Sequence, residues 1–236
     1  MTAETERTLP EGKPVRTRVR REQKRALETK EAILEAALIE FSDKGFDGAS
    51  TRNISITAEV NHRLIGHHFG TKEELWKATA KYVFGAYTKK LRERYVNLND
   101  VDEPVMLRLM LREFILFSAK VPHLFRFMVQ ANIGERARLD WLIENHILPG
   151  MPFELTVLKK AQEVGLIRKG DLLHWRYIFI GAATSIFTLA GEYQSNAKED
   201  PFDDAVLSKH VDMVLSMFLL HDSQSAPTEG SLALTG

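Results

Sequence analysis

Apolar residues recur along this chain at helical spacing, and no stretch shows the alternation of a strand. Ile33, Ala36, Ala37 and Phe41 mark one face of a helix expected from near Thr29, or a turn or two earlier, to Lys44, where Gly45-Phe46 supplies a left-handed stop with a hydrophobic latch. A long pattern through Leu75, Ala78, Tyr82, Tyr87 and Leu91 predicts a helix from Lys72 to about Asn97. After a break over Asn97 to Glu103, Pro104 opens another, carrying Met106, Leu109, Met110, Phe114 and Phe117 as far as Val121-Pro122. A short helix to Ile133 follows, then a long segment from about Glu135 to Val164 that Pro149, Gly150 and Pro152 must kink or split. Asp171 to Tyr193 is apolar on nearly every side of its centre, and Asp203 to about Leu220 is the last helix. The count is about nine helices and the fold class is all-α.

Between Ser50 and Glu74 the pattern shortens. Ser50 is placed to cap a two-turn helix through its hydroxyl, with Ile54 and Ala58 as the inner stripe. Asn61 caps a second short helix that turns Ile65 and Phe69 inward and His62, Arg63 and His67 outward. Thr71-Lys72-Glu73-Glu74 is a capping box for the third. Two short helices, a tight turn and a capped support are the anatomy of a helix-turn-helix, whose outward face can read DNA.

Composition adds constraints. The chain has 236 residues, 44% of them hydrophobic, enough for one large domain or a small one plus a larger one. Its 32 basic and 32 acidic residues cancel, so any attraction to nucleic acid must be local. One such concentration exists: Lys13 to Arg25 holds seven bases against the single acid Glu22, a net of +6. That segment reads either as an arm that tracks phosphates or enters a minor groove, or as a solvated tail. Cysteine is absent, which excludes disulfides and thiolate metal sites and suits a reducing cytoplasm. The longest uncharged apolar run, Tyr177 to Gly191, is short of the ~20 residues that span a bilayer, so no membrane partner is expected.

The stretch AILEAALIEFSDKGFDGAST followed by Arg52, Ile54, Ala58, Val60, Ile65, His68, Phe69, Lys72 and Leu75 resembles the DNA-binding domain of the TetR family of transcriptional regulators, over about residues 28 to 76. Two positions depart from the family pattern: Glu59 stands at a turn where Gly is usual, and Gly66 where an aromatic is common. Composition makes residues 1–27 a basic, disordered arm and 222–236 a disordered tail, and the resemblance implies a DNA-binding domain over 28–76 and a helical effector-binding and dimerisation domain over 77–221. It also implies a homodimeric regulator, a repressor in first place, on a palindromic operator with half-sites about 34 Å apart, released by a small apolar or aromatic effector.

Within that reading Arg63 is suited to bidentate contact with guanine O6 and N7, His62 to a neighbouring base edge, and Arg52 matches a position that reads bases or phosphate in the family. Thr51, His67 and Lys72 are better placed for the phosphate backbone. Phe84, Tyr87, Met110, Phe114, Phe117, Met128, Trp141, Trp175 and Phe179 are candidates for an effector pocket, each also an ordinary core residue. The last two helices carry more apolar surface than one chain needs, so Gly181, Ala182, Ser185, Val211, Val214, Leu215 and Phe218 are expected at an isologous interface.

Competing readings have less behind them. His67 and His68 diverge by about 100° on a helix and have no third ligand at i+4, so no metal is expected, nor any cofactor. Glu135, Asp140 and Glu144 lie in a generally charged segment, and no GxSxG, HExxH or phosphate-loop pattern occurs, which leaves an all-α enzyme a distant alternative. An architectural DNA-binding dimer without an effector is the nearer one.

Overall fold

The computed structural model describes residues 15–95 and 103–220. Among them are eleven α-helices and one π-helical turn, and no strand: α1 Val15–Gly48, α2 Thr51–Thr57, α3 Arg63–Phe69, α4 Lys72–Tyr95, α5 Glu103–Lys120, α6 Pro122–Ile133, α7 Arg136–Leu142, the π turn Ile143–Ile147, α8 Met151–Glu163, α9 Leu172–Thr188, α10 Ala190–Ala197 and α11 Asp204–Phe218. The fold is all-α, as the periodicity predicts. The tail over 222–236 and the start of the 1–27 arm lie outside the described residues.

Two expected helices differ in extent, each for a physical reason, and the split expected from Pro149, Gly150 and Pro152 falls before Met151. The first helix begins at Val15 rather than near Thr29, so part of the segment expected to be disordered is helical. From Arg20 on its residues, Arg, Glu, Gln, Lys, Ala and Leu, are strong helix formers without an apolar stripe, and Lys24 pairs with Glu28 one turn on at 3.6 Å. Before Ile33 no described side chain of α1 is buried, and those described from Arg20 to Glu28 are all exposed. The segment after Glu135 splits at the π turn and again before Met151. The helix expected over 171–193 breaks at Leu189, and its two parts diverge by 67°. Ahead of the break Thr184 and Thr188 donate their hydroxyls to the carbonyls of Ile180 and Thr184, a back-bonding that bends helices.

Two apolar cores organise the chain. In the first, Ile33, Ala37, Phe41, Ile54, Ile65, Leu75 and Trp76 pack with Phe117, Leu124, Phe127, Leu139 and Leu142. Phe127 of α6 touches both Phe41 and Trp76, at ring centroid distances of 6.5 and 5.1 Å. The expected reading head, α2 and α3 between the end of α1 and the start of α4, is too short to bury a core alone, and α6 and α7 complete it. The step at residue 76 is therefore no break in packing. The second core joins Leu107, Leu111 and Ile115 of α5 to Leu158, Phe179, Ala183, Val211, Val214 and Leu215.

Candidate functional site

The reading head is positioned by a short sequence of local devices. Gly45 takes φ 68°, which kinks α1 one turn before its end, and Phe46 stacks on Phe41 with centroids 6.1 Å apart. The hydroxyl of Ser50 makes no capping bond to α2, contrary to expectation. Glu40 takes over that role: its Oε1 accepts from the Ser50 N–H at 3.1 Å, Asn53 Nδ2 at 3.2 Å and Lys44 Nζ at 3.0 Å. Burial pushes the Glu40 carboxyl up, but the bonds from Lys44, Ser50 and Asn53 outweigh it and hold the group below its ordinary range.

After α2 the chain turns through Glu59 at φ 54°, the left-handed conformation that usually calls for Gly, at a cost on the order of 1 kcal/mol. The Val60 N–H donates to the Ser55 carbonyl across this turn at 3.0 Å. Asn61 Oδ1 accepts from the Arg63 N–H at 3.0 Å, so Asn61 does cap the reading helix α3. Ile65 is buried on its inner side and Phe69 half-buried, while His62, Arg63 and His67 are exposed. The capping box then closes as expected: the Thr71 N–H donates to Glu74 Oε2 at 2.7 Å and the Glu74 N–H to Thr71 Oγ1 at 3.2 Å. The Thr71 backbone bond, with its hydroxyl bond second, holds the Glu74 carboxyl below its usual range.

The six expected DNA-contacting residues fall into different situations. Arg63 and Arg52 are exposed, with no carboxylate partner among the described residues. His62 is steered by Thr51, whose Oγ1 lies 3.0 Å from Nε2 across the two helices. Lys72 is half-buried: Nζ donates to the Asp47 carbonyl at 3.3 Å and sits 4.9 Å from the Phe46 ring centroid. His67 is exposed with its ring 5.2 Å from that of His68, which burial, then His67 and Lys30, hold below its ordinary pKa. Lys30 of α1 is thus close enough to His68 to add to the positive charge there. From there Arg25, Lys24, Arg21 and Arg20, all exposed, continue the basic surface outward.

Two features escaped the sequence. Ile56, 67% exposed, shares the outward side of α2 with Arg52 at i+4 and is apolar where a surface residue would be polar. Arg138 of α7, its side chain 11% exposed, lies 3.8 Å over the Phe46 ring and within 4 Å of Glu135, Glu73 and Asp47. It fastens α7 to the end of α1 and the start of α4.

Residues 33–79, from α1 through the first turns of α4, match the family model described as bacterial regulatory proteins, tetR family. Over those residues the chain is similar to the tetR family. Among its relatives is the HTH-type transcriptional repressor NicS of Pseudomonas putida, 31% identical over 89 residues, which are 38% of this chain and 39% of NicS. The probable HTH-type transcriptional regulator YttP of Bacillus subtilis is 28% identical over 100 residues, 42% of this chain and 48% of YttP. The matched stretch spans less than half of these relatives' length. Solved structures extend the likeness in fold: AibR in complex with isovaleryl coenzyme A and operator DNA aligns with a TM-score of 0.62 at 21% identity, over 80% of this chain and 97% of AibR. A HlyIIR mutant aligns with a TM-score of 0.56 at 22% identity, over 82% and 96%.

In the C-terminal part of the chain most of the expected effector residues fall into two groups. Phe117, Tyr87, Phe114, Phe179, Trp175 and Phe218 form one line of rings, successive centroids 4.8 to 6.0 Å apart. Phe84 and Trp141 instead enclose His146, at 5.1 and 5.3 Å. Met128 packs on the first core, and Met110 is half-buried on α5.

Several residues of the expected dimer set take part in the chain's own packing. Val211, Val214 and Leu215 are buried within the chain against α5 and α9, and Phe218 belongs to the ring line. Ala182 is half-buried on the second core, so only Gly181 and Ser185 of that set reach the surface. The apolar groups that α9 and α11 expose are Tyr177, Ile178, Met213 and Met217, each at least 60% accessible. No single described helix is long and apolar enough to cross a membrane.

Proposed function

We propose that this chain is a cytoplasmic, homodimeric, sequence-specific DNA-binding transcriptional regulator of the tetR family, acting as a repressor that a small apolar or aromatic effector releases from a palindromic operator. The observation that carries the reading is α3 itself: Ile65 fixes its inner side while Arg63 and His62 stand exposed on the other, with Asn61 and Thr51 holding them. Arg63 reads a guanine through O6 and N7, His62 an adjacent base edge, and Arg52 a base or phosphate. Ile56 adds an apolar contact to a sugar or a thymine methyl. Thr51, His67 and Lys72 position the phosphate backbone, joined by Arg20, Arg21, Lys24 and Arg25 on the exposed turns of α1.

Dimerisation uses the outward sides of α9 and α11, where Tyr177, Ile178, Met213 and Met217 lie exposed beside the small Gly181 and Ser185. A monomer would leave these groups in water, and a two-fold axis pairs them with their own copies. The ring line from Tyr87 to Trp175 is the wall an apolar effector would part. It meets α4 at Tyr87, and α4 leads directly to the capping box beside α3. Release requires that the effector bind the DNA-incompetent arrangement better than the competent one. AibR, which shares the fold, is known with an acyl coenzyme A and operator DNA, and that supports the pairing of the two ligands here.

The test is fluorescence anisotropy on the duplex upstream of the gene and on a scrambled duplex, at two salt concentrations. A preference that survives the higher salt is expected. Arg63→Ala should cost about 1–3 kcal/mol on the specific duplex alone, whereas Lys72→Ala should weaken both duplexes about equally. Equal loss on both for Arg63→Ala would remove it from base reading.

A further inference from the structure

A cleft of about 410 Å³ opens between α4 and the π-helical turn, lined by Lys77, Ala78, Lys81, Trp141, Asn145 and His146. It lies along α4 about two to three turns nearer the reading head than the ring line at Tyr87, and none of its lining residues is acidic. We propose that this cleft is a binding site for a small organic acid, its carboxylate or phosphate held by Lys81 and Lys77 and its apolar body laid against Trp141.

Four observations converge on that chemistry. Lys77 and Lys81 stand at i and i+4, where like charges repel and an anion between them relieves the repulsion. Lys77 is partly engaged, 3.4 Å from Glu73 and 5.4 Å over the Trp141 ring, but Lys81 has no carboxylate partner among the described residues. The floor is rigid: His146 stacks on Phe84 with rings 10° from parallel and meets Trp141 edge-on, and Trp141 in turn packs 5.9 Å from Trp76. Fixed aromatic walls with a few polar groups are the usual make-up of a small-molecule site, and the volume falls in the range of ~300–1,000 Å³ typical of one.

The third observation is the π turn over Ile143–Ile147. Such turns are rare and recur at functional sites. By bonding i to i+5 this one brings both Asn145 and His146 over Trp141, where an α-helix would turn one of them away. The Asn145 amide donates to the Trp141 carbonyl at 2.7 Å, which fixes the register. The fourth is the His146 Nε2 atom, buried and without a hydrogen-bond partner among the described residues. A polar atom left so is costly and needs a reason. Burial, and then the charge of Lys81, hold this imidazole below its ordinary pKa, so at neutral pH it offers an N–H donor without adding charge.

The test titrates the full, DNA-free chain with phenyl phosphate and with benzoate, and with inorganic phosphate as the bare anion, followed by tryptophan fluorescence and calorimetry. Saturable one-site binding of phenyl phosphate or benzoate is expected, with a change in Trp141 emission, weakened about tenfold by Lys81→Gln and retained by Lys81→Arg. Lys81 is exposed, so neither variant threatens the fold. The proposal is overturned if neither organic acid binds, if Lys81→Gln binds as tightly as the parent, or if inorganic phosphate binds equally well and marks an adventitious ion only. Because no DNA is present, failure here is separate from any failure of the regulatory reading.

Discussion

The reading head and the α9–α11 pair follow opposite rules. Around α3 every polar direction has a local cause: Asn61 caps, Glu59 turns left-handed, Thr71 and Glu74 close a box, and these few bonds fix which side of α3 faces out. In α9 apolar residues occur on nearly all sides, and the choice of inner face is made by its neighbours, α5 with Leu107, Leu111 and Ile115 and α11 with Val211, Val214 and Leu215, which draw in Phe179 and Ala183. Local hydrogen bonding can orient a short polar helix. A helix that is apolar all round is oriented only by its neighbours.

Variants that treat the two regions separately sharpen this contrast. The largest effect is expected where the head and the bundle share a core. Phe127→Ala should cost about 3–5 kcal/mol and lower the denaturation midpoint of the whole chain, because Phe127 touches Phe41 and Trp76 at once. Urea unfolding followed by tryptophan emission and by circular dichroism should move together. If only one signal moved, the shared core would not unite the two regions.

Next comes the outer face of the pair. Met213→Asp with Met217→Asp should turn the dimer into a folded monomer in sedimentation, whereas Val214→Ala should lower stability and leave the dimer intact. The reverse result would put Val214 at the interface and restore the expectation drawn from spacing alone.

Smaller changes are expected in the head, where local rules dominate. Gly66→Ala should raise stability by about 0.5–1 kcal/mol, since a Cβ there meets nothing within 4 Å and Gly is a poor helix former. Glu59→Gly should gain up to about 1 kcal/mol by relieving the left-handed turn. Thermal melts check both.

The smallest effect is a pH dependence. His146, His123 and His210 are each held below the ordinary imidazole range chiefly by burial. The unfolded chain thus binds protons that the folded chain resists. Stability is complete above about pH 6.5 and declines as pH falls toward the depressed folded values. Melting temperature measured from neutral to mildly acidic pH should drop, and less so in His210→Gln. A flat profile would mean these rings are not desolvated.

What could be read in the sequence follows the same division. The all-α plan, the capping box, the left-handed Gly45 and the outward set Arg63, His62 and His67 were legible because each depends on residues within a turn or two. The Ser50 cap was misread because its partner, Glu40, is ten residues back and on another helix. The start of α1 was missed because helix propensity without an apolar stripe leaves no periodic signal. Arg138 was invisible for want of any motif, since its partners Asp47 and Glu73 lie far off in the chain. The cleft residues Lys77 and Lys81 show an i, i+4 spacing, but nothing in the sequence predicted the π turn that brings Asn145 and His146 to them.

The most direct test of the central claim, that two α3 helices related by a dimer axis read DNA, is selection of bound duplexes from a random-sequence library. The account predicts enrichment of an inverted repeat whose half-sites are about one helical turn apart or slightly more, with information at one base pair per half-site lost in Arg63→Ala. Recovery of a single asymmetric half-site, or of no sequence above background, would contradict it.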